Sequence, residues 1–380
     1  MTPAAGPAAG TRHWPVRRPG VGASAAAVLV LAVVVFPLVI TGQVPTQIGV
    51  DAMLFVAAAV AWNIFSGYSG YISLGHAVFF GSGAYFVGVA AQDWHVTGDT
   101  EFALIPLAGL VAGLIAVPFG LIALRVRRHT FVVVTIAVFF IFQLMAFNLS
   151  VTGGSVGISA PFLSWAPETY NDPFYYLALI VAMGATVLSW LIRGSRFGLQ
   201  LRAIRDDEDR ARGLGVRTMR VKLTAFVISG VLTGLVGGIW FLFIQQVVPQ
   251  YGFDPLFDLS VALMAFLGGL GTIWGPVIGA LILEPGQQIL TLRSSNSYLS
   301  EIIWGALFIL VILFLPRGII PVAQEKARSW RAMRARTRGP ATGPGGGAQP
   351  DRPGTAGQPA AGRGVGPGTE SGTPSAGSVR

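Results

Sequence analysis

Nine stretches of this chain are apolar and close to bilayer-spanning length: 23–41, 47–65, 75–91, 102–124, 129–149, 174–192, 222–244, 257–283 and 299–315. A spanning helix takes about 20 residues. Lipid offers backbone groups no partners, so such runs must become helices that satisfy their own hydrogen bonds. Charged residues make up 11% of the chain, against about 25% in soluble domains. The sequence therefore predicts an all-α integral membrane protein. The count of nine or ten segments turns on 257–283, where "GGLGTIWGP" divides the run.

The charge is +9 and the pI near 10.4, yet this does not point to nucleic acid. The basic residues collect in the N-terminal stretch, in short loops and in the tail, as they do on the cytoplasmic face of a membrane protein. "RVRR" at 125–128, the loop 193–222 and the chain after Pro316 are basic, whereas 92–101, 150–173 and 245–256 carry no Lys or Arg. With both termini cytoplasmic, these loops alternate correctly through the seventh span. The last span then needs 257–283 either to cross and be followed by a returning segment, or to dip in and leave on its side of entry. The second is expected, with Leu256–Leu267 entering, Gly268–Gly275 turning and Pro276–Leu290 going back; Arg293 then lies on the outside, against the charge rule. The apolar run Ala23–Ile40 exceeds the roughly 7–15 residues of a signal-peptide core, so it is expected to remain as a first helix. The expected layout is an extension 1–22, a membrane domain 23–320 that includes the cytoplasmic loop 193–222, and a tail 321–380. The tail is first basic, then rich in Gly, Pro and Ala, and too poor in apolar residues to order. The chain has no cysteine, which removes disulfides and thiolate metal sites.

Two spans are broken by glycine: 66–85, "SGYSGYISLGHAVFFGSGAY", and 268–279, "GGLGTIWGPVIG". Irregular backbone survives at membrane depth only inside protein or beside a cavity, and paired interruptions in two halves point to a transport site between pseudo-repeats. Candidate pathway residues are Asn63, Ser69, Gly70, Ser73, Gly75 and His76 at the first break, and Gly269 and Gly271 at the second. His76 reads equally as a structural donor, and no second ligand stands at metal-binding spacing. Gly81, Gly83 and Gly88 either continue the break or let helices approach closely. Gln143 and Asn148 either face the pathway or tie neighbouring helices. The span interiors are expected to be free of ionised residues, with Asp51 and Glu284 near segment ends. That argues against a proton- or sodium-driven carrier.

The loop 193–222 carries nine basic and four acidic residues. Asp206, Asp207, Glu208 and Asp209 suit the start of a short helix. Arg210 and Arg212 suit its end, and Gly213 and Gly215 stop it. Ala203, Ile204, Ala211, Leu214 and Val216 give it an apolar side fit for docking on a soluble partner; the plainer alternative is a solvated loop near lipid head groups.

"GYSGYISLGHAVFFGSGAY", "AIRDDEDRARGLGVRTMRVKLTAFVISGVLTGLVGG", "GGLGTIWGPVIGA" and "FLPRGI" occur in that order. Over roughly 45–320 the chain resembles LivM-type permeases, membrane subunits of branched-chain amino acid ABC transporters. The resemblance implies an inner-membrane importer working by alternating access, with a second LivH-like permease, two cytoplasmic ATPase subunits and a periplasmic or lipid-anchored binding protein. It also implies that 205–216 is the coupling element gripped by the ATPases. Arg205, Asp206, Asp207, Glu208, Ala211 and Gly215 would do this work, although the acidic part departs from the family's plain Glu-Ala-Ala. The chain has no G-x-x-x-x-G-K-[ST] motif. ATP and Mg²⁺ are thus expected on the partner subunits, and this chain is expected to be a transport subunit without cofactor or enzymatic activity. Related permeases carry urea or short amides, so these stand as alternative solutes; a stand-alone channel or carrier is the more distant alternative.

Overall fold

The computed structural model describes residues 33–40, 42–96, 98–160, 165, 169–293, 297–314, 318–322 and 325. The extension 1–22, the start of the first expected span and nearly all of the tail 321–380 lie outside these residues. The described chain is helical: α1 (33–39), α2 (Gln43–Trp62), α3 (Ala77–Asp93), α4 (Leu104–Ala123), α5 (Arg128–Asn148) and α6 (Asn171–Gly194). Then follow α7 (Arg196–Asp206), α8 (Glu208–Gly213), α9 (Thr218–Ile244), α10 (Pro249–Gly252), α11 (Pro255–Gly268), α12 (Trp274–Arg293) and α13 (Ser297–Phe314). Two-residue strands, Ile158–Ser159 and Gln246–Val247, pair antiparallel.

Six helices among the described residues are long and apolar enough to cross a membrane: Gln43–Gly67, Gly98–Ala123, Arg128–Asn148, Asn171–Gly194, Thr218–Ile244 and Pro249–Gly268. The chain is thus a multi-pass membrane protein. α3, at 17 residues, is shortened by the break that precedes it, and α12 carries Glu284, Gln287 and Gln288 within its run.

The core forms around α9, which packs on α2, α3, α4 and α6. Helices that are apolar on all sides belong in an interior, and the most apolar window of α2 is 83% buried. Gly81, Gly83 and Gly88 lie inside continuous α3, so the close-approach reading is the one the fold adopts. A side chain on Gly83 would run into the Gly234 backbone of α9. Below this contact Phe226 meets Phe65, Phe79 and Phe119, at centroid separations of 4.8, 5.2 and 5.3 Å. α5 lies at the rim and exposes Phe140, Ile141 and Leu144, as a helix facing lipid or another membrane subunit does.

The loops sort to two ends. At one end, Arg128 donates to the carbonyls of Ile204 and Arg205, both at 2.6 Å, joining the "RVRR" turn to α7. At the other, Gln92 donates to Ser159 O, Asn171 to Gln43 O, and Ile158 pairs with Val247. The hairpin α11–α12 enters and leaves at this second end, where Arg293 and Val44 line one cleft. Its turn is not shallow: Arg193 Nη1 donates to Gly271 O at 3.2 Å, so the turn reaches the basic end. The hairpin thus traverses the bundle, with α12 as the returning segment.

The loop 193–222 holds two helices where one was expected. In α7, Ser195 Oγ accepts from Gly198 N at 3.2 Å and caps the start. Leu201 and Ile204 are fully buried on its inner face.

Candidate functional site: a joint between the glycine breaks and the loop helix

α2 does not simply stop at the first break. It widens into a π-helical turn, Asn63–Gly67, a local loosening that recurs at functional positions in helices. The turn exposes carbonyls and aims Asn63 sideways. Asn63 Oδ1 accepts from Gly271 N at 2.8 Å, and its Nδ2 donates to Thr272 O at 2.9 Å. The two glycine breaks, distant in sequence, are therefore one node. Gly271 has φ 75° and Gly70 has φ 74°, a region that side chains other than glycine enter only with strain.

The loop helices close on the same node. Arg205 Nη1 donates to Gly67 O at 2.8 Å. A Cβ on Gly70 would sit 3.0 Å from Arg205 Cγ. In α8 the start is built as the sequence predicts: Asp207 Oδ1 accepts from Arg210 N at 3.0 Å, Glu208 and Asp209 occupy the first turn, and Gly215 has φ 86°. Asp206 is the last residue of α7.

Glu208 is the centre of the contact. Its Oε1 accepts from Lys222 Nζ at 2.8 Å and lies 3.5 Å from Arg212 Nη2, while its Oε2 accepts from the Tyr71 hydroxyl. Lys222 Nζ also lies 3.1 Å from Tyr71 Oη and 4.3 Å from the centroid of its ring. Tyr71 and Lys222 are 2% and 3% exposed. Burial pushes the Glu208 carboxyl up, but hydrogen bonds from Lys222 and Tyr71, with the charges of Lys222 and Arg212, outweigh it and hold the group below its usual range. A pair with its cation buried is costly to break, because the Lys222 charge is left uncompensated. The break (Tyr71), the loop helix (Glu208) and the central helix α9 (Lys222) are thereby fastened together. A cleft of about 590 Å³ beside the joint is lined by both signs of charge, including Arg125, Arg127, Asp206, Asp209 and Arg212.

The sequence-predicted residues divide among several places. Asn63, Gly70, Gly271 and Arg205 meet at the node. Gly269, with φ 124°, opens the second turn and accepts through its carbonyl from Thr272 Oγ1 at 2.7 Å. Ser69 Oγ accepts from Tyr71 N, locally. His76 turns instead toward α9, with Ser73 on the other side of its ring. His76 Nε2 lies 2.7 Å from Ser229 Oγ and Nδ1 lies 3.1 Å from Ser73 Oγ. Ser229 gives its own hydrogen to Ala61 O at 2.6 Å, so it accepts from His76 Nε2–H. Gly75 packs where a Cβ would meet Thr135 O at 2.9 Å. Gln143 is elsewhere, donating to Phe253 O at 2.7 Å toward the far end, and Asn148 Nδ2 donates within its own helix to Leu144 O.

Two expectations need correction. Ala211 is 2% exposed and faces inward, so it is not on a docking face; Leu214 and Leu199, 85% and 57% exposed, are large apolar residues that the loop offers outward. The span interiors are not free of carboxylates: Asp258 and Glu284 are each 2% exposed, and Glu284 lies mid-way along α12 rather than near an end. At the breaks, side chains of this chain take backbone groups of Gly67, Gly271 and Thr272.

Tyr71 and Lys222 were the functional residues least visible in sequence. Lys222 offered one signal, a cation standing where the apolar run of α9 begins.

The comparisons follow this geometry. The family model described as branched-chain amino acid transport system / permease component matches residues 44–312. The high-affinity branched-chain amino acid transport system permease protein LivM of Salmonella typhimurium is 29% identical over 332 residues, 80% of this chain and 75% of that protein. LivH of the same organism is 27% identical, over 70% of this chain and 91% of that protein. The autoinducer 2 import system permease protein LsrC of Yersinia pseudotuberculosis is 27% identical over 55% of this chain and 60% of that protein. No solved structure matches the chain at a significant level. The matched span takes in both glycine breaks, the π-helical turn and the whole Tyr71–Glu208–Lys222 joint, and on that footing the chain belongs to the branched-chain amino acid transport system permease component family.

Proposed function

We propose that the chain is one permease subunit of an ATP-driven importer in a bacterial inner membrane, with the α7–α8 loop in the cytosol and branched-chain amino acids as solute. The observation that carries this reading is the Tyr71–Glu208–Lys222 joint, which makes a short, charged, loop-borne helix mechanically continuous with a glycine-hinged core. A channel has no use for such a fastening; a core moved from outside does. ATP binding and Mg²⁺ belong to separate ATPase subunits that seat against α8 and Leu214. Closing and opening of those subunits pulls α8, and the pull passes through Glu208 to Tyr71 and α9 and shifts the node at Asn63 and Gly271, switching the open side. A second, LivH-like permease completes the bundle and a binding protein delivers solute at the end bearing the Ile158–Val247 pair. The names of the LivM and LivH relatives support the solute class, and LsrC, an autoinducer import permease, keeps other small polar solutes as a second reading.

The test is reconstitution of the full chain in vesicles with the permease, ATPase and binding protein encoded beside it. Uptake of labelled leucine is expected only with ATP and all partners present. Full-rate leucine flux through the chain alone, without nucleotide, overturns the proposal.

A further inference from the structure

Away from the joint, α2, α3, α9, α11 and α12 enclose a cavity of about 250 Å³ whose lining includes Asp51 and Glu284. The two carboxylates share one amide. Gln288 Nε2 donates to Asp51 Oδ2 at 3.3 Å and to Glu284 Oε1 at 3.1 Å. One donor group for two acids leaves a deficit. Glu284 is 2% exposed, and its Oε2 has no hydrogen-bond partner among the described residues. A buried acceptor left unmade is expensive, and nothing within the described chain meets the cost: no Lys, Arg or His lines the cavity. The rest of the lining combines a third acid, Asp254, and the polar Tyr251, Ser260 and Gln287 with the aromatic Phe80, Trp240 and Phe257, whose ring faces attract cations and pack against hydrocarbon.

We infer that this cavity is a binding site for a primary ammonium group carrying a short apolar tail, the amine end of an amino-acid-like solute. An ammonium brings three donors, enough for the free Glu284 oxygen, for Asp51 and for one further acceptor, and it brings the positive charge that the lining lacks. The volume, just under the roughly 300–1,000 Å³ of drug-sized pockets, suits one small amine. The site disfavours a lone carboxylate for the same reason, since three carboxyl groups, Asp51, Asp254 and Glu284, already line it. This inference rests on the proposed function only in taking a solute to pass through the bundle.

The experiment uses the full chain in lipid nanodiscs and the hydrophobic carbodiimide dicyclohexylcarbodiimide, which modifies carboxyls in apolar surroundings, with peptide mapping of the loss of unmodified Glu284, so that any amide formed by the probe amine on the activated carboxyl counts as labelling. Isopentylamine is expected to slow labelling at Glu284 by at least about fivefold, and 4-methylpentanoate, the same tail with an acid in place of the amine, is expected to leave it unchanged. In parallel, equilibrium binding of radiolabelled isopentylamine is expected to weaken at least about tenfold in Glu284→Gln and in Asp51→Asn, the scale of one lost charge-assisted hydrogen bond. No labelling at Glu284, equal protection by amine and acid, or protection by neither overturns the assignment. Should the variants not fold, the protection measurement on the unaltered chain decides alone. Because neither readout uses ATP or a partner, a negative result here is distinct from a failure of ATP-driven uptake.

Discussion

The amide N–H of Gly271 lies 2.8 Å from Asn63 Oδ1, across 208 residues of sequence. With the return bond from Asn63 Nδ2 to Thr272 O, one side chain holds the second glycine turn against the π-helical end of α2. Leucine at position 63 leaves a buried donor and a buried acceptor unmade, at about 1–3 kcal/mol each. Asn63→Leu is expected to lower the melting temperature in detergent and to abolish uptake. Asn63→Asp keeps the acceptor for Gly271 N–H but sets a carboxyl oxygen against the Thr272 carbonyl in a buried site, so it is expected to melt below the unaltered chain as well. Equal melting of all three proteins removes the node from the account.

Glu208 and Lys222 make the second expectation. Glu208→Gln strands the buried Lys222 charge, a loss of about 3–5 kcal/mol for a pair of this kind, while Glu208→Gln combined with Lys222→Met is expected to recover part of it. Both are expected to lower ATP-driven uptake even where the protein remains in the membrane. The measurement is a thermal melt of all four members of the cycle beside transport assays.

The same carboxylate sets a pH dependence. Its folded pKa lies below its ordinary value, so the folded state binds this proton more weakly than the unfolded chain. The stability it contributes is present above the unfolded carboxylate range, about 4.3, and is lost as pH falls through the lower folded value. The melting difference between the unaltered chain and Glu208→Gln is therefore expected to be full at neutral pH and to shrink in acid. A difference that grows on acidification contradicts the ion pair.

Glycine 271 is expected to tolerate alanine less well than glycine 70. Both have positive φ, costing a Cβ about 1–2 kcal/mol. At Gly70 the new atom meets the flexible Arg205 side chain at 3.0 Å, whereas at Gly271 it also meets the Gly67 backbone oxygen at 2.9 Å. Melts of Gly70→Ala and Gly271→Ala check the order.

Leu214 separates docking from folding. At 85% exposure, replacement by Asp is expected to change stability by no more than about 0.5 kcal/mol while cutting co-purification of the ATPase subunits and uptake at least about tenfold. Unchanged co-purification removes Leu214 from the interface.

Local chemistry was legible in the sequence and long-range placement was not. The acidic start of α8, Arg210 and Arg212 at its end and the Gly215 turn follow from rules within one turn of chain, although Asp206 closes α7 rather than opening α8. The break at 66–76 could be read from glycine spacing that fits no helix face. The meeting of Asn63 with Gly271, and of Tyr71 with Lys222, depends on helix rotation and packing across the bundle, which periodicity does not encode when a helix is apolar on every side. Asp258 was overlooked for a similar reason. It stands in the first turn of the proline-started α11, yet that turn packs on the start of α3, where Asp258 meets the Ala77 amide.

Asp258 has its own outcome for selectivity. Its Oδ1 receives the Ala77 amide at 3.1 Å, so the first donor at the tip of α3 is already taken by an acceptor from within the protein. On the proposed transport reading, a passing anion finds that donor occupied, and the tip of α3 offers it no berth.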